Sequence, residues 1–358
     1  MALFIVRRLL SSIPVLIGVL VLVFALVRII PGDPCTATYG EKATPELCAQ
    51  FTIRYGLNKP IPEQFLIYTG ALLQGDLGTS IRFGRPVSDI LLERLPVTVE
   101  LTALALIFAT VGGITLGLIS ATRRNSSVDA GTMVLANLGV STPVFVLGLL
   151  LAYVFAVLLR DTPFALPPSG RLSPGVNVTP LAVAWGLQGL SGAPRLILDF
   201  LSNMNLFNSF VTAQWSTFAD AFRHLILPAI AVGTIPLAIV ARMTRSSLLE
   251  VLGLDFIRTA RAKGLGERSV VIRHGMRNAL LPVVTIIGLS LGALLSGAIL
   301  TETIFNLTGM GKTVFESIDS RDYVVIQGVT IVVAITYLIV NLVVDVSYAF
   351  LDPRIRLS

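Results

Sequence analysis

Six long apolar stretches, separated by polar segments, dominate the pattern of the chain. They lie at about residues 9–30, 97–120, 133–159, 225–240, 280–300 and 329–351. A helix needs about 20 apolar residues to cross a hydrocarbon core roughly 30 Å thick. All but the fourth reach that length, and Arg242 and Arg245 can extend the fourth because long basic side chains snorkel. The pattern predicts an all-α integral membrane protein with six transmembrane helices.

The predicted spans divide the chain into seven parts. They are the N-terminus with the first span (1–30), a first outer segment (31–96), the second and third spans with a short cytoplasmic loop (97–159), a second outer segment (160–224), the fourth and fifth spans with a basic loop (225–300), an outer loop (301–328), and the sixth span with the C-terminus (329–358). The first stretch is interpreted as a retained span, because its apolar region is too long for a signal peptide and no A-x-A-like site follows.

Basic residues set the expected orientation. More than half of the 27 Lys and Arg fall in the short loops of one side, namely Arg7, Arg8, Arg123, Arg124, the eight from Arg242 to Arg277, Arg354 and Arg356. The positive-inside rule places that side, and both termini, in the cytoplasm. We expect the second outer segment to pack on the outer face or shield its entrance.

Composition changes the picture by excluding classes of protein. The chain is 54% hydrophobic and only 13% charged, whereas soluble domains carry about 25% charged residues. The net charge of +6 does not indicate nucleic-acid binding, because the basic residues cluster beside apolar spans. His224 and His274 stand apart from any cluster of metal ligands, and no catalytic arrangement is recognisable. We therefore expect no nucleic-acid partner, no metal and no enzymatic activity.

The stretch "DFIRTARAKGLGERSVVIRHGMRNALLP", residues 255–282, interrupts the apolar pattern. Placing its six Arg and Lys residues in the bilayer would cost roughly 15–20 kcal/mol, so it must be a loop. It predicts a short helix with Asp255 as N-cap and Gly264 near its end. Phe256 and Ala260 would form its apolar face. The segment is either an ordinary basic loop or a docking helix for a cytosolic partner.

Part of this stretch, "RTARAKGLGERSVVIRHGMRNALLP", resembles the cytoplasmic loop of permease subunits of ABC importers, in the branch that transports dipeptides and oligopeptides. Gly264 matches the central glycine of the motif, and Leu281 with Pro282 its end. Arg258, Thr259 and Ala260 replace the Glu-Ala-Ala of the broader pattern, which weakens a sugar assignment. Three more stretches match in order: "VRRLLSSIPVLIGVLVLVFALVRIIPGDP", "LLQGDLGTSIRFGRPVSDILLERLPVTVEL", and "ETIFNLTGMGKTVFESIDSRDYVVIQG" followed by "NLVVDVSYAFLDPRIRLS".

The resemblance implies a type I ABC importer permease fold in a bacterial plasma membrane, and the first of the two permease types of a pair. The implied partners are a second permease subunit, two cytosolic ATPase subunits or domains that hold ATP and Mg²⁺, an extracytoplasmic substrate-binding protein and membrane lipid; this chain itself holds no cofactor. The implied ATPase contact consists of Asp255, Phe256, Arg258, Thr259, Ala260, Arg261, Ala262, Lys263 and Gly264. Glutathione, nickel chelates or oligosaccharides are alternative substrates, because selectivity would reside on the binding protein.

Two further patterns concern the outer side. Cys35 and Cys48 both lie in the first outer segment, where thiols meet oxidants, and predict a disulfide. "GMGKT", residues 309–313, is not interpreted as a nucleotide-binding loop, because Asn306 stands where that motif needs a glycine.

Polar residues inside the spans leave alternatives open. Asn137, Gly139, Ser141 and Pro143 mark either a helix irregularity around proline or a polar lining of the translocation path. Glu302 is either a gate contact or a structural hydrogen bond. Asp345 either pairs with a basic residue such as Arg242 or Arg245, or is functional. A stand-alone secondary transporter would need a repeated core with broken helices and matching charges, and no such repeat is visible.

Overall fold

The computed structural model of the protein describes residues 2–29 and 32–351, and its regular structure is helical. The α-helices are α1 Ala2–Ile29, α2 Pro34–Tyr39, α3 Pro45–Arg54, α4 Ile61–Leu73, α5 Val87–Thr122, α6 Ser127–Ser141, α7 Val144–Tyr153, α8 Leu181–Ala184, α9 Ala193–Ser202, α10 Asn205–Val211, α11 Trp215–Leu252, α12 Asp255–Ala262, α13 Glu267–Ser269, α14 Arg277–Gly297, α15 Ile299–Ile304, α16 Met310–Asp319 and α17 Tyr323–Leu351. Val154–Leu158 and Val270–Met276 are π-helical, and Gly40–Lys42 is a 3₁₀ turn. Within the described ranges no strand forms beyond an isolated bridge between Thr79 and Pro86.

Five helical segments are long and apolar enough to cross a membrane. They are Phe4–Ile29, Val87–Thr122, Trp215–Leu252, Glu267–Leu295 and Tyr323–Val346. The sixth span is the bent pair Ser127–Ser141 and Val144–Leu158, whose axes meet at 105°. Counted in this way, the prediction of six spans is confirmed. Residues 352–358, with Arg354 and Arg356, lie outside the described part of the chain, as does Ile30 at the expected end of the first span.

The fourth span is the centre of the bundle. It is 38 residues long, and 72% of its most apolar window is buried, against 11–33% in the other four continuous spans. A Cβ on Gly113 would lie 2.8 Å from the Leu237 carbonyl oxygen, and one on Gly117 would lie 2.6 Å from that of Ala241. Because these glycines of α5 let the two backbones approach closely, α5 and α11 form the central helix pair.

Helix α11 is longer than the fourth span predicted at residues 225–240, because polar residues interrupt the apolar pattern on both sides of that stretch. His224, Thr244 and Ser247 lie on α11 and are all buried. Thr244 packs directly against the position of Gly117 in α5. A helix that is enclosed by its neighbours can carry such residues, whereas a lipid-facing one needs an apolar surface.

The structure shows the partners of two charged residues considered above. The expected pairing of Asp345 with a basic residue is confirmed, but the partner is Arg8, at 2.6 Å, and not Arg242 or Arg245, because α17 packs antiparallel to α1. Arg245 does not snorkel. Its Nε and Nη2 atoms each donate to a carboxylate oxygen of Asp129 at 2.8 Å.

The Asp129 carboxylate also accepts hydrogen bonds from the Ser120 hydroxyl and from the backbone N–H of Asn125. Asp129 is only 6% exposed. This ion pair joins the turn between α5 and α6 to α11. We call the end of the bundle that carries Arg8, Asp129 and α12 the basic end, and the opposite end the outer end.

The two outer segments are tied to the outer end by covalent and polar contacts. Cys35 and Cys48 form a disulfide with Cα atoms 5.5 Å apart, packed against Phe51, so the predicted bond is confirmed. In the second outer segment Arg171 lies 3.6 Å from the Glu100 carboxylate of α5. The backbone N–H of Leu206 donates to the same carboxylate at 2.5 Å, so the second outer segment is fixed to the second span.

Candidate functional site

The predicted basic helix is present as α12, which lies in the chain between the fourth and fifth spans, α11 and α14. Gly264 ends it with a left-handed backbone conformation, φ +78°, which favours glycine over any residue with a side chain. Asp255 is the first residue of the helix and not its N-cap, since Leu254 holds the extended cap position. The Asp255 side chain is exposed and pairs with Arg258 at 3.1 Å.

The buried face of α12 differs from the predicted one. Ile257 and Ala260 face inward and pack with Val270 of the π-helical segment, whereas Phe256 is 43% exposed. The prediction that Phe256 shares the apolar face with Ala260 is therefore wrong. Residues three apart also share a helix face, and in α12 the pair with Ile257 is the one that the bundle covers.

The remaining residues of α12 form an exposed surface, which we call the outward surface of α12. It consists of Asp255, Phe256, Arg258, Thr259, Arg261 and Ala262, with Lys263 and Gly264 just beyond the helix. Arg261 makes two hydrogen bonds to the Glu267 carboxylate, with its Nη2 at 2.6 Å and its Nε at 3.1 Å. This pair links the outward surface to α13, and the exposed basic and aromatic side chains suit docking rather than catalysis.

The π-helical segment Val270–Met276 connects α12 to α14 and also touches α11. A Cβ on Gly275 would lie 3.1 Å from a methyl carbon of Leu248 and 3.3 Å from one of Leu252. We call this segment the π-helical joint. Because π-helical turns are rare and concentrate at functional positions, the joint is a candidate functional element. The segment therefore connects α12 to α14 along the chain and to α11 by packing.

The predicted polar residues of the third span lie at the break between α6 and α7. Thr142 donates its backbone N–H to Leu138, and Pro143, which has no N–H, prevents the helix from continuing. Ser141 and Pro143 are exposed, and Asn137 is half-buried. In the described part of the chain, the Asn137 Oδ1 atom has no hydrogen-bond partner. The predicted helix irregularity around proline is confirmed.

A cavity of about 170 Å³ adjoins the break and was missed from the sequence. Its walls come from α7, α11 and α14. Among the described residues that line it, Ser290 is polar, and the others are apolar, namely Val144, Val232, Ile235, Pro236, Ile239, Ala293 and Leu294. Pro236, inside the fourth span, is the sequence signal that could have indicated it. Non-helical backbone at membrane depth is tolerated where protein encloses it or where it lines a cavity, which fits this arrangement.

Glu302 lies in a hydrogen-bond network away from the break. It is fully buried in α15, and its carboxylate oxygens accept hydrogen bonds from the Thr98 hydroxyl at 2.6 Å and from the Lys312 backbone N–H at 2.9 Å. The same Thr98 oxygen accepts a hydrogen bond from the Met310 backbone N–H. Of the two roles considered, this geometry supports the structural hydrogen bond. The Glu302 carboxylate therefore accepts a hydrogen bond from the first turn of α16, which lies in the GMGKT stretch.

Comparison with known proteins is informative over nearly the whole chain. Residues 113–357 match the family described as "Binding-protein-dependent transport system inner membrane component", and residues 1–102 match its N-terminal region. The chain belongs to this family. The permease is 43% identical over 350 residues to the dipeptide transport system permease protein DppB of Alkalihalophilus pseudofirmus, with 98% of each chain covered.

Two further relatives agree with this assignment. The dipeptide transport system permease protein DppB of Escherichia coli K12 is 44% identical over 360 residues, covering 99% of this chain and 98% of its own. The di/tripeptide transport system permease protein DppB of Pseudomonas aeruginosa is 44% identical over 354 residues, with 99% of this chain and 98% of its own covered. The permease is therefore a multi-pass membrane subunit of an ABC transporter and not an enzyme or a stand-alone secondary transporter.

Proposed function

We propose that the permease forms half of the translocation path of an ATP-driven importer of dipeptides and other short peptides. Its partners are a second permease subunit, two cytosolic ATPase subunits or domains that bind ATP and Mg²⁺, and an extracytoplasmic binding protein. The observation that carries the proposal is the outward surface of α12, a basic helix presented beyond the bundle. The peptide substrate is supported by the relatives, whose names specify dipeptides or di- and tripeptides.

The outward surface of α12 docks in a cleft of one ATPase. Phe256 supplies an exposed aromatic anchor, and Arg258 and Arg261 give the rim positive charge. Aromatic and Arg side chains are the residue types that dominate the energy of protein interfaces. When ATP draws the two ATPases together, α12 moves with them and displaces α11 and α14 through the π-helical joint.

The path runs along the break between α6 and α7 and the adjoining wall of α11 and α14. Asn137, Ser141 and Pro143 line it at the break. Glu302 acts beside it, by holding α16 against the second span. A mostly apolar wall makes weak and unspecific contacts, which suits a conduit for peptides of varied side chains. Selectivity would then rest on the binding protein.

The basic end faces the cytoplasm of a bacterium, with both termini on that side. Arg7, Arg8, Arg123 and Arg124 all lie at this end, together with the basic residues of the loop around α12. The disulfide between Cys35 and Cys48 supports the same orientation, since disulfides persist outside the reducing cytoplasm.

The test is purification of the permease from mild detergent, with identification of the proteins that accompany it, followed by reconstitution of the complex in liposomes. We expect a second permease, ATPase chains and a binding protein, and uptake of a labelled dipeptide that requires ATP on the side of α12. A chain that purifies alone and transports without ATP would contradict the proposal.

A further inference from the structure

Arg28, at the last turn of α1, is a half-buried cation whose contacts are all to uncharged groups. Its Nε and Nη2 atoms both donate to the Gln64 side-chain oxygen of α4, at 3.1 and 2.8 Å, and its Nη1 atom donates to the Phe24 carbonyl at 3.2 Å. The guanidinium carbon also lies 3.3 Å above the centre of the Phe24 ring. Among the described residues, no carboxylate forms an ion pair with Arg28. A buried cation normally finds an anionic partner.

The nearby carboxylates are engaged with other donors. Asp33 caps α2 through the backbone N–H groups of Cys35 and Thr36, and Asp76 accepts a hydrogen bond from the backbone N–H of Gly78. Asp322 accepts hydrogen bonds from the Ser80 hydroxyl, the Arg82 backbone and the Val325 backbone. Within residues 2–29 and 32–351, these carboxylates therefore do not neutralise the charge of Arg28.

A cavity of about 160 Å³ lies beside Arg28, between the end of α1, the helix α4 and the start of α17. Its other lining residues include the exposed Asp76 and two donors, Gln327 and Tyr68. Gln327 is only 5% exposed, and its Nε2 atom has no hydrogen-bond partner in the described part of the chain. The Tyr68 hydroxyl is also buried and equally without a partner there, and burial raises the pKa of Tyr68 to about 12, so it keeps its proton at neutral pH.

A guanidinium without an anionic partner among the described residues thus lies on one cavity with a phenol O–H and an amide N–H that have no acceptor there. Buried polar groups are nearly always paired, so each of these donors calls for an explanation. A phosphate group provides several acceptor oxygens and a negative charge, and Arg is the side chain best matched to it.

The surroundings of the cavity identify where such a phosphate comes from. Exposed side chains of α1 around Arg28 are large and apolar, namely Leu22, Leu26 and Ile29, as are Ile61, Leu66, Ile67 and Leu73 of α4. Tyr68 and Tyr323 line the cavity. Tyrosine is enriched where a membrane protein passes from hydrocarbon to headgroups, so tyrosines beside this apolar surface fit a position at that boundary.

We propose that this cavity binds the phosphate headgroup of an outer-leaflet phospholipid, with the acyl chains lying along the exposed apolar side of α1. The bound lipid links α1, α4 and α17, and so fastens the first outer segment to the spans. The assignment to the outer leaflet rests on the orientation proposed above, whereas binding of a phospholipid at this cavity depends neither on that orientation nor on the transported substrate.

The test uses the full chain purified in detergent and washed free of lipid, titrated separately with phosphatidylglycerol, a diacylglycerol of the same chains, and inorganic phosphate. Binding is followed by native mass spectrometry and by the thermal unfolding midpoint. We expect phosphatidylglycerol to bind and to raise the midpoint, and the other two to do neither. Arg28→Gln should weaken phosphatidylglycerol binding by about tenfold, the size of one charge-assisted hydrogen bond, whereas Arg7→Gln at the opposite end of α1 should not.

A second variant covers the case in which Arg28→Gln does not fold. Gln327→Leu removes an unpaired buried donor, so it should leave the midpoint of the lipid-free protein unchanged or raise it, while weakening phosphatidylglycerol binding. If inorganic phosphate alone gives the same rise in midpoint, the site binds free anions and the lipid assignment is overturned. If both variants bind phosphatidylglycerol as the unmodified chain does, the whole proposal is overturned.

Discussion

At the scale of single residues, the Glu302 carboxylate shows how a charge at the outer end of the bundle serves structure. Both of its oxygens accept hydrogen bonds, from the Thr98 hydroxyl and from the Lys312 backbone. Thr98 has already accepted the Met310 N–H, so its own hydrogen must point at Glu302. An amide in this place would set its NH₂ group against a donor. We expect Glu302→Gln to lower the free energy of unfolding by about 1–3 kcal/mol.

The measurement is the thermal unfolding midpoint of the purified permease, compared with that of Glu316→Gln. Glu316 lies on α16, near the same network, but its side chain is 26% exposed and forms only a 3.7 Å ion pair with Lys312. The control should unfold close to the unmodified chain. Equal midpoints for the two variants would show that the network around Glu302 contributes nothing particular to stability.

At the scale of elements, the outward surface of α12 should control coupling through charge. We expect Arg261→Glu to lower transport per ATP hydrolysed by about tenfold, because it reverses the charge that faces the ATPase. The structure adds a complication, since Arg261 also pairs with Glu267 inside the loop. Transport of dipeptide and release of phosphate are measured together in liposomes, with Arg123→Glu on the turn between α5 and α6 as the matched control.

The double variant Arg261→Glu with Glu267→Arg separates the two roles of Arg261. It restores an ion pair within the loop but leaves the outward surface of α12 altered. We expect it to remain uncoupled. Recovery of transport in the double variant would show that Arg261 serves only the internal geometry of the loop.

The disulfide joins α2 to α3 and stabilises the first outer segment. Cys35 and Cys48 are 13 residues apart, and closing a loop of that length stabilises a fold by about 3 kcal/mol. A reductant should therefore lower the thermal midpoint of the permease, and it should have no effect on the Cys35→Ala, Cys48→Ala double variant. Alkylation without reductant, followed by mass spectrometry, should label neither thiol. Labelling of both would contradict the bond.

The elements also show what a sequence can predict and what it cannot. The length and spacing of the apolar stretches predicted the spans. The residue types predicted the disulfide and the short helix around Arg258. The partners of charged residues were not predictable, because Arg245 and Asp129 are 116 positions apart and no local pattern connects them. The inward position of Ile257 depends likewise on the π-helical segment, which bends back over α12.

At the scale of the whole molecule, two long-range ion pairs hold opposite ends of the bundle around α5. Asp129 and Arg245 fix α11 at the basic end, and Glu100 and Arg171 fix the second outer segment at the outer end. This segment is therefore anchored to the second span, and we expect it to contact the proposed binding protein.

The exposed apolar side of α9 is a part of the second outer segment that a binding protein could contact. Leu196 and Ile197 are 50% and 60% exposed and stand on the helix next to α10, whose first residues hold Glu100. Deleting residues 189–208 would not test this surface by itself, because it would also remove the Leu206 N–H that donates to Glu100.

The double variant Leu196→Glu with Ile197→Glu alters the surface of α9 alone. We expect the double variant to weaken binding of the partner binding protein by about tenfold or more, as for buried apolar anchors of an interface. Affinity is measured on the complex in lipid nanodiscs, and Ile53→Glu, equally exposed in the first outer segment, should leave it unchanged. Unaltered affinity in the α9 variant, with Ile53→Glu weakened instead, would move the docking surface from the second outer segment to the first.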